Sequence, residues 1–224
     1  KRLKNLKLEA ISVHIGSQIL SENPFKKTLK VLEEIILKTK INFKFVDLGG
    51  GFGISYKKND KKIKLKDYSN LVEKFKRKYN CKIIFEPGRA IVGNSAILVT
   101  KIQYLKKGAN KVFAILNAGM NDFMRPALYD ATHNILPLKK NNKKFKGTIE
   151  FVGPICETTC KFIKYKNYQR VNQSDYVAIM DVGAYGASLS SNYNTKPLIA
   201  ELLVTKKKVQ VIRRKQDMQK LINY

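Results

Sequence analysis

The pattern of apolar residues changes near Asn94, and this change constrains the fold more than any other feature of the sequence. Before it, three apolar runs at residues 10–15, 43–48 and 82–85 alternate with two segments of helical spacing. Strands that alternate with helices through short loops are typical of a parallel sheet. The first helix is predicted to open at Ser21 or Asn23, with Pro24 in its first turn, and the second to be capped by Asp67.

After residue 94 the helical spacing largely disappears, and only the tail from Gln216 keeps a helical pattern. Short strand-like runs follow one another, separated by glycine, asparagine and proline, as in β-sandwiches and barrels. We therefore predict an α/β domain over residues 1–93 and an all-β domain, sandwich-like or barrel-like, over residues 94–224. The strand-like runs are residues 97–104, 112–116, 148–152, 161–165, 176–180, 198–204 and 209–212.

The charge balance raises the question of a nucleic-acid partner. Basic residues outnumber acidic ones by 44 to 17, which gives a net charge of +27. Only seven of the 44 are arginine, the residue that makes bidentate contacts with phosphates and bases. The lysines are spread along the chain, with clusters at residues 57–58, 61–62 and 141–144 that we assign to polar loops. We interpret the charge as a solvated surface and expect no nucleic-acid partner.

Hydropathy and cysteine content indicate an intracellular protein. No apolar run approaches the roughly 20 residues that a membrane span needs, so we expect no membrane partner and a cytoplasmic location. Three cysteines without a Cys-x-x-Cys pair argue against a disulfide framework and for a reducing compartment. Cys156, Cys160 and His133 could in principle ligate a metal, but with only two histidines in the chain we expect none.

Each of the three predicted parallel strands ends in an unusual cluster: His14-Ile15-Gly16-Ser17, Gly49-Gly50-Gly51 and Glu86-Pro87-Gly88-Arg89. Ligand sites of parallel α/β folds lie at the carboxyl ends of the strands. The glycine triplet could close its amides on a phosphate, or it could be a tight turn. His14 could stack on a planar ligand or be a core histidine. Glu86 and Arg89 could bind a heterocyclic nitrogen and an anion, or form a local ion pair.

The β half carries three further clusters. Arg125 and Tyr129 follow the segment Asn117-Ala118-Gly119-Met120-Asn121-Asp122. Cys156 and Glu157 follow Gly153-Pro154-Ile155, and Tyr185 lies in Asp181-Val182-Gly183-Ala184-Tyr185-Gly186. A cysteine beside a carboxylate can donate a proton, although most cysteines are small buried hydrophobes. Tyr185 could equally be a loop aromatic without chemistry.

Taken together, the six motifs resemble the fold-type III decarboxylases that depend on pyridoxal phosphate (PLP), in particular their diaminopimelate-specific members. The resemblance runs from Val13 to about Arg213 and keeps the order and spacing of the motifs. It implies a TIM-like (β/α) barrel that binds the cofactor, followed by a C-terminal β-domain. On this basis residues 1–93 are the C-terminal part of the (β/α)8 barrel, and residues 94–224 are the β-domain.

The resemblance also implies roles for individual residues. His14 stacks on the cofactor ring, Ser17 and the Gly49–Gly51 loop bind its phosphate, and Glu86 pairs with its ring nitrogen. Cys156 is the catalytic proton donor. Cys156 and Glu157 reach the neighbouring subunit's site, which implies a homodimer with shared active sites. The cofactor-binding set is His14, Ser17, Gly49, Gly50, Gly51, Glu86, Gly88, Arg89 and Tyr185, and the substrate-binding set is Arg89, Arg125, Tyr129, Glu157 and Tyr185.

The implied reaction is the decarboxylation of meso-2,6-diaminopimelate to L-lysine, the last step of lysine biosynthesis. Arg125 and Tyr129 favour this diacid because a retained carboxylate needs a clamp. A decarboxylase of the ornithine, arginine or carboxynorspermidine type stays open, as does a catalytically dead partner protein with the same fold. A further alternative is a basic RNA- or DNA-binding protein, for which the positive charge is the only argument.

The chain also departs from the family pattern. Only three barrel-type strands are predicted, whereas a complete barrel has eight, and no lysine lies in the motif that anchors the cofactor as a Schiff base. We therefore expect a fragment of a longer reading frame or a gene remnant, inactive alone. Thr132, the residue before His133, stands where the family tends to carry an aromatic residue, and residues 158–160 also differ from the family; we expect neither position to carry chemistry.

Overall fold

The computed structural model describes residues 4–57 and 60–223. The chain separates into two compact units, one ending at Gly93 and the other beginning at Asn94. The division falls where the apolar pattern of the sequence changes, because a parallel α/β segment and an antiparallel β segment each bury their own apolar residues.

The first unit is a small parallel sheet with helices. Its strands are β1 (Ala10–Ser12), β2 (Phe45–Asp47) and β3 (Lys82–Ile84), in the order β1-β2-β3 with both pairs parallel. The helices are α1 (Asn23–Thr39), α2 (Leu65–Tyr79) and the short α3 (Arg89–Val92). Val46 on the central strand is fully buried, and the apolar faces of α1 and α2 contribute to the same core. The predicted parallel sheet is confirmed.

Helix α1 begins at Asn23, one of its two predicted positions, whereas α2 begins at Leu65, before its predicted cap Asp67. The residue before α1 is Glu22, so neither Ser21 nor Asn23 is its N-cap, and Pro24 occupies the first turn. Proline fixes its own φ at the helical value, which lets the helix begin without a side-chain cap. The residue before α2 is Lys64, and Asp67 lies inside the first turn. Its carboxylate there faces the positive end of the helix dipole instead of capping an amide.

The second unit is built on a six-stranded sheet. Its strands lie in the order β6-β9-β4-β5-β7-β8, and all pairs are antiparallel except β5 with β7. Strand β6 was not predicted, since three residues that end in a proline carry little strand signal. The strands are β4 (Leu98–Lys107), β5 (Val112–Leu116), β6 (Ile135–Pro137), β7 (Thr148–Val152), β8 (Lys161–Lys166) and β9 (Tyr176–Ile179).

Two tyrosine hydroxyls join the edge strands of this sheet. The Ile135 N–H on β6 donates to the hydroxyl of Tyr165 on β8 at 2.8 Å. The hydroxyl of Tyr168, just after β8, donates to the Ile135 carbonyl at 2.9 Å. The sheet therefore curls until its two edges meet, around a core that includes Ile102, Leu116, Phe123, Phe151 and Val177. The barrel-like form predicted for this half is confirmed.

The end of the chain forms a separate hairpin and a short helix. Strands β10 (Glu201–Val204) and β11 (Val209–Arg213) pair antiparallel, and α5 (Met218–Ile222) confirms the helical tail. The strand predicted from residue 198 begins only at Glu201. The second unit also contains α4 (Arg125–Tyr129), so it is not purely β.

The lysine clusters behave as predicted where they are described. Lys57, Lys61, Lys62 and residues 141–144 lie outside the named strands and helices, whereas Lys58 falls outside the described residues. None of the helices in the described part of the chain combines the length and apolar character needed to cross a membrane.

Candidate functional site

The glycine triplet after β2 makes close contact with the ends of the other two strands. A Cβ on Gly50 would overlap the Glu86 carbonyl oxygen, which follows β3. A Cβ on Gly51 would lie 2.5 Å from the Gly16 carbonyl oxygen, which follows β1. Gly51 also has a φ of +91°, in the region that favours glycine. The absence of side chains therefore lets the three strand ends converge.

Two amides of the triplet are already used inside the protein. The Gly49 N–H donates to Asp47 Oδ1 at 2.8 Å, while Asp47 Oδ2 accepts the Ser12 hydroxyl at 2.9 Å. The Gly50 N–H donates to His14 Nδ1 at 3.4 Å. A neutral His14 ring accordingly carries its proton on Nε2. The contact with Gly50 orients the His14 ring, and both hydrogen bonds show that the Gly49 and Gly50 amides are used to shape the loop.

Arg89, at the start of α3, turns back toward the end of β1. Its Nη1 donates to the Tyr56 hydroxyl at 2.7 Å and its Nη2 to the Ser17 hydroxyl at 3.2 Å. A guanidinium beside a hydroxyl is a donor set suited to a phosphate or carboxylate. The sequence did not indicate Tyr56 as a site residue, because no local pattern links it to Arg89, 33 positions away.

The remaining residues of this cluster lie at the end of β3. The Glu86 N–H donates to the Gly49 carbonyl at 2.9 Å, and the Glu86 side chain is exposed. Gly88 precedes α3, and a Cβ there would meet no atom within 4 Å. The first unit thus brings together His14, Ser17, Gly49, Gly50, Gly51, Glu86, Gly88 and Arg89 at the carboxyl edge of its parallel sheet.

In the second unit, Arg125 and His133 form a buried pair. Arg125 Nη1 lies 2.9 Å from His133 Nε2, and His133 Nδ1 lies 2.9 Å from the Met180 carbonyl oxygen. Arg125 is 6% exposed and His133 2%. Tyr129 lies four residues after Arg125 on α4, so both belong to one helix face, and its ring is exposed. His133, which the sequence suggested only as an unlikely metal ligand, is a direct partner of the candidate substrate residue Arg125.

Cys156 and Glu157 lie on the turn that joins β7 to β8. The Gly153 N–H donates to the Cys160 carbonyl and the Cys160 N–H to the Glu157 carbonyl, each at 2.9 Å. Both Cys156 and Glu157 are exposed, and the Tyr193 hydroxyl donates to Glu157 Oε2 at 3.4 Å. Cys160 is buried instead, and its Sγ accepts the Met120 N–H at 3.4 Å. Tyr193 is a second residue that no sequence pattern indicated.

Tyr185 lies in the loop that follows β9. Its φ of +60° places a non-glycine residue in the left-handed region, and its ring is partly exposed. Asp181 at the start of the loop has the same φ of +60° and accepts a hydrogen bond from Asn94 Nδ2. The loop backbone is therefore unusual at two positions, which is common at functional sites. Among the described residues, no cluster of three or more metal-ligating side chains is found.

The side chains at the strand ends of the first unit fit PLP, the cofactor that the resemblance implies. A Cβ at Gly50 would fill the space between the Glu86 backbone and the His14 ring. The Ser17 hydroxyl and the Arg89 guanidinium lie together as donors for a phosphate. His14 and Glu86 are both exposed, which leaves a flat ring and a carboxylate available to a heterocycle.

Known proteins resemble this chain along almost its whole length. The family model of the pyridoxal-dependent decarboxylases, described as their C-terminal sheet domain, matches residues 19–183. The diaminopimelate decarboxylase of Aquifex aeolicus is 39% identical over 219 residues, which cover 96% of this chain and 52% of that protein. The diaminopimelate decarboxylase of Haemophilus influenzae is 42% identical over 223 residues, which cover 98% of this chain and 53% of that protein.

A solved structure agrees with these sequence matches. The diaminopimelate decarboxylase of Helicobacter pylori in complex with L-lysine has a TM-score of 0.83 and 37% identity, over 96% of this chain and 53% of that one. This chain therefore spans about half the length of the relatives it matches. Because the family model covers well over half of its residues, the chain belongs to the pyridoxal-dependent decarboxylases, whose cofactor is pyridoxal phosphate.

Proposed function

We propose that the parent protein containing this chain decarboxylates meso-2,6-diaminopimelate to L-lysine. The observation that carries the proposal is the buried guanidinium of Arg125, which is held on α4 one helical turn from Tyr129. A cation with a neighbouring phenol suits a carboxylate that must be retained while another is lost. The relatives at 39% and 42% identity, both named diaminopimelate decarboxylase, support the same substrate.

The cofactor would be held by the strand-end residues of the first unit. Ser17 and Arg89 would bind its phosphate, and the Gly49–Gly51 loop would let the backbone approach closely. His14 would stack on the ring, and Glu86 would hold a proton at the ring nitrogen. When bound, PLP supplies an electron sink for the electron pair that remains as CO2 leaves.

The substrate would be oriented by side chains of the second unit. Arg125 and Tyr129 would bind the distal carboxylate, and the exposed carboxylate of Glu157 would bind the distal ammonium group. Cys156 Sγ–H would donate the proton to the carbon that has lost CO2. Arg89 and Tyr185 are assigned to the pocket by resemblance to the family.

We also propose a homodimer in the cytoplasm. Cys156 and Glu157 lie exposed on the turn between β7 and β8, which leaves both side chains available to a second subunit. In that arrangement each subunit would supply the proton donor to its partner's substrate.

Substrate specificity tests the proposal. In the PLP-loaded parent, Arg125→Ala should lower kcat/KM for meso-diaminopimelate by about 100-fold, because a buried charge-assisted contact is worth about 3 kcal/mol. Arg125→Lys retains the positive charge, so it should lower kcat/KM for meso-diaminopimelate less than Arg125→Ala does. The exposed Arg77→Ala on α2 is the control and should leave kcat/KM unchanged. A wild-type protein that turns over L-ornithine faster than meso-diaminopimelate would contradict the proposal.

A further inference from the structure

Tyr193 contacts the carboxylate of Glu157 from a different loop of the second unit. Its hydroxyl donates to Glu157 Oε2 at 3.4 Å, although the two residues are 36 positions apart. Hydrogen bonds of this length in a binding site commonly shorten when the ligand is bound. A phenol is a neutral donor, so it orients the carboxylate without compensating its negative charge. That charge stays available to a cation.

The backbone on the Glu157 side of this contact is fixed by the turn between β7 and β8. The Glu157 N–H donates to the Ile155 carbonyl at 2.8 Å, and the Glu157 carbonyl accepts the Cys160 N–H at 2.9 Å. The side chain of Glu157, in contrast, is exposed, so packing does not determine where its carboxylate lies. The direction of the carboxylate therefore depends on polar contacts such as the one with Tyr193.

The segment that carries Tyr193 is anchored on both sides. Before Tyr193, the Ser191 N–H donates to the Asn121 carbonyl at 2.9 Å. After it, the Leu198 N–H donates to Gln216 Oε1 at 3.0 Å, and the Gln216 N–H donates to the Leu198 carbonyl at 2.9 Å. The backbone of Tyr193 is accordingly tied to two other parts of the second unit.

The turn that follows Tyr193 has an unusual backbone. Asn194 and Thr195 have φ values of +59° and +54°, and the left-handed region is particularly unfavourable for a β-branched residue such as threonine. Asn192 Nδ2 closes this turn by donating to the Lys196 carbonyl at 2.8 Å. Such backbone conformations persist where surrounding contacts impose them, and they are common at functional sites. The turn presents the Tyr193 ring from a fixed backbone.

We propose that Tyr193 is a positioning residue that orients the Glu157 carboxylate toward the distal ammonium group of the substrate. The proposal rests on the proposed function, because it takes Glu157 as the group that binds this ammonium. It assigns a role to a tyrosine that no sequence pattern indicated. The role belongs to the hydroxyl, since only the hydroxyl reaches Glu157.

Three variants of the parent isolate the hydroxyl. Tyr193→Phe removes the donor and keeps the ring, so the packing of the ring is preserved. Tyr104→Phe removes the hydroxyl of an exposed tyrosine on β4 and is the matched control. Glu157→Ala removes the carboxylate itself, and the double variant with Tyr193→Phe shows whether the two residues act together.

Two ligands of the PLP-loaded parent report on the ammonium contact without turnover. The distal ammonium group of diaminopimelate becomes the α-ammonium group of L-lysine, and 6-aminohexanoate is L-lysine without that group. By isothermal titration, Tyr193→Phe should weaken L-lysine binding about fivefold, the worth of about 1 kcal/mol for one hydrogen bond. Binding of 6-aminohexanoate should stay unchanged, and Tyr104→Phe should change neither ligand.

The double variant separates positioning from an independent effect of the ring. Glu157→Ala should weaken L-lysine binding about tenfold, and adding Tyr193→Phe should change it by less than about twofold. A fivefold loss that persists in the Glu157→Ala background would overturn the proposal, as would equal losses of L-lysine and 6-aminohexanoate in Tyr193→Phe. A loss in Glu157→Ala without any loss in Tyr193→Phe would overturn it too, while the role of Glu157 would stand.

Crystal structures of the wild-type parent and of Tyr193→Phe test the contact independently of the reaction. The Glu157 carboxylate should take one orientation in the wild type, within reach of the Tyr193 hydroxyl, and a different or mixed orientation in the variant. An unchanged carboxylate would overturn the positioning role. If the carboxylate moves but the wild-type parent forms no L-lysine from meso-diaminopimelate, the proposed function fails and the orientation of Glu157 by Tyr193 stands.

Discussion

Arg89 Nη2 donates to the Ser17 hydroxyl across 3.2 Å, which joins the residues after β3 to the residues after β1. The two residues are 72 positions apart in the sequence, and the parallel order β1-β2-β3 brings them to one edge of the sheet. The hydrogen bond holds the Arg89 guanidinium and the Ser17 hydroxyl together as a pair of donors, at the sheet edge where the Gly49–Gly51 loop carries no side chains. We expect this pair to dominate the binding of the cofactor phosphate.

Arg89→Lys should weaken PLP binding to the parent about tenfold. Lysine keeps the charge but cannot donate to Tyr56 and a phosphate in the fixed geometry of a guanidinium. Equilibrium dialysis against PLP measures the apparent Kd. Arg77→Lys is the matched control, because Arg77 is exposed on α2 and pairs only with Glu73 among the described residues. An unchanged Kd in Arg89→Lys would show that the phosphate lies elsewhere.

Gly50→Ala should destabilise the first unit by about 1–3 kcal/mol, because its methyl group would overlap the Glu86 carbonyl oxygen. Gly88→Ala is the control within the same cluster. Its added methyl group would meet no atom within 4 Å, and its φ of −81° is ordinary for alanine. Urea unfolding of the two variants compares them directly. Equal stabilities would mean that the strand ends are not in contact.

Tyr68→Phe should raise the free energy of unfolding by about 1 kcal/mol at neutral pH. The Tyr68 hydroxyl is buried without a hydrogen-bond partner among the described residues, and removing such a group relieves a desolvation cost. Burial also raises the pKa of Tyr68 to about 12.

The raised pKa gives a pH dependence with a definite sign. The folded protein holds the Tyr68 proton more tightly than the unfolded chain, whose tyrosine pKa is near the ordinary value of 10.0. Wild-type stability should therefore fall as the pH rises from that value to about 12. Thermal unfolding across this range should show a smaller decrease for Tyr68→Phe. A variant less stable than wild type at neutral pH would contradict this account.

The fold was predicted from the local spacing of apolar residues. This spacing predicted the strands correctly where their residues are buried in the core. Strands β5 (Val112–Leu116) and β7 (Thr148–Val152) coincide with the predicted runs, since both are apolar and central in the sheet. The predicted start of α2 was wrong because several residues near it can cap a helix, and the choice among them depends on packing.

The contacts that organise the site could not be predicted in the same way. Tyr56 meets Arg89 from 33 positions away and Tyr193 meets Glu157 from 36 positions away. His133 was visible as one of two histidines, only eight residues after Arg125, yet the sequence offers no sign that its partner is that arginine. Motifs indicate which residues carry chemistry, whereas the residues that orient them are chosen by tertiary structure.

Tyr168→Phe should destabilise the second unit by about 1–2 kcal/mol, opposite in sign to Tyr68→Phe. Both substitutions remove a tyrosine hydroxyl, but the Tyr168 hydroxyl donates to the Ile135 carbonyl at 2.9 Å and helps to close the sheet. Chemical denaturation at neutral pH measures the difference. A neutral or stabilising effect would show that the hydrogen bond between the sheet edges contributes nothing.

The most direct test of the central claim is product formation by the parent protein. Purified parent is incubated with meso-2,6-diaminopimelate, with and without PLP, and both L-lysine and CO2 are quantified. We expect equal amounts of L-lysine and CO2 that depend on PLP. A folded, PLP-saturated parent that releases no CO2 from meso-diaminopimelate would contradict the account.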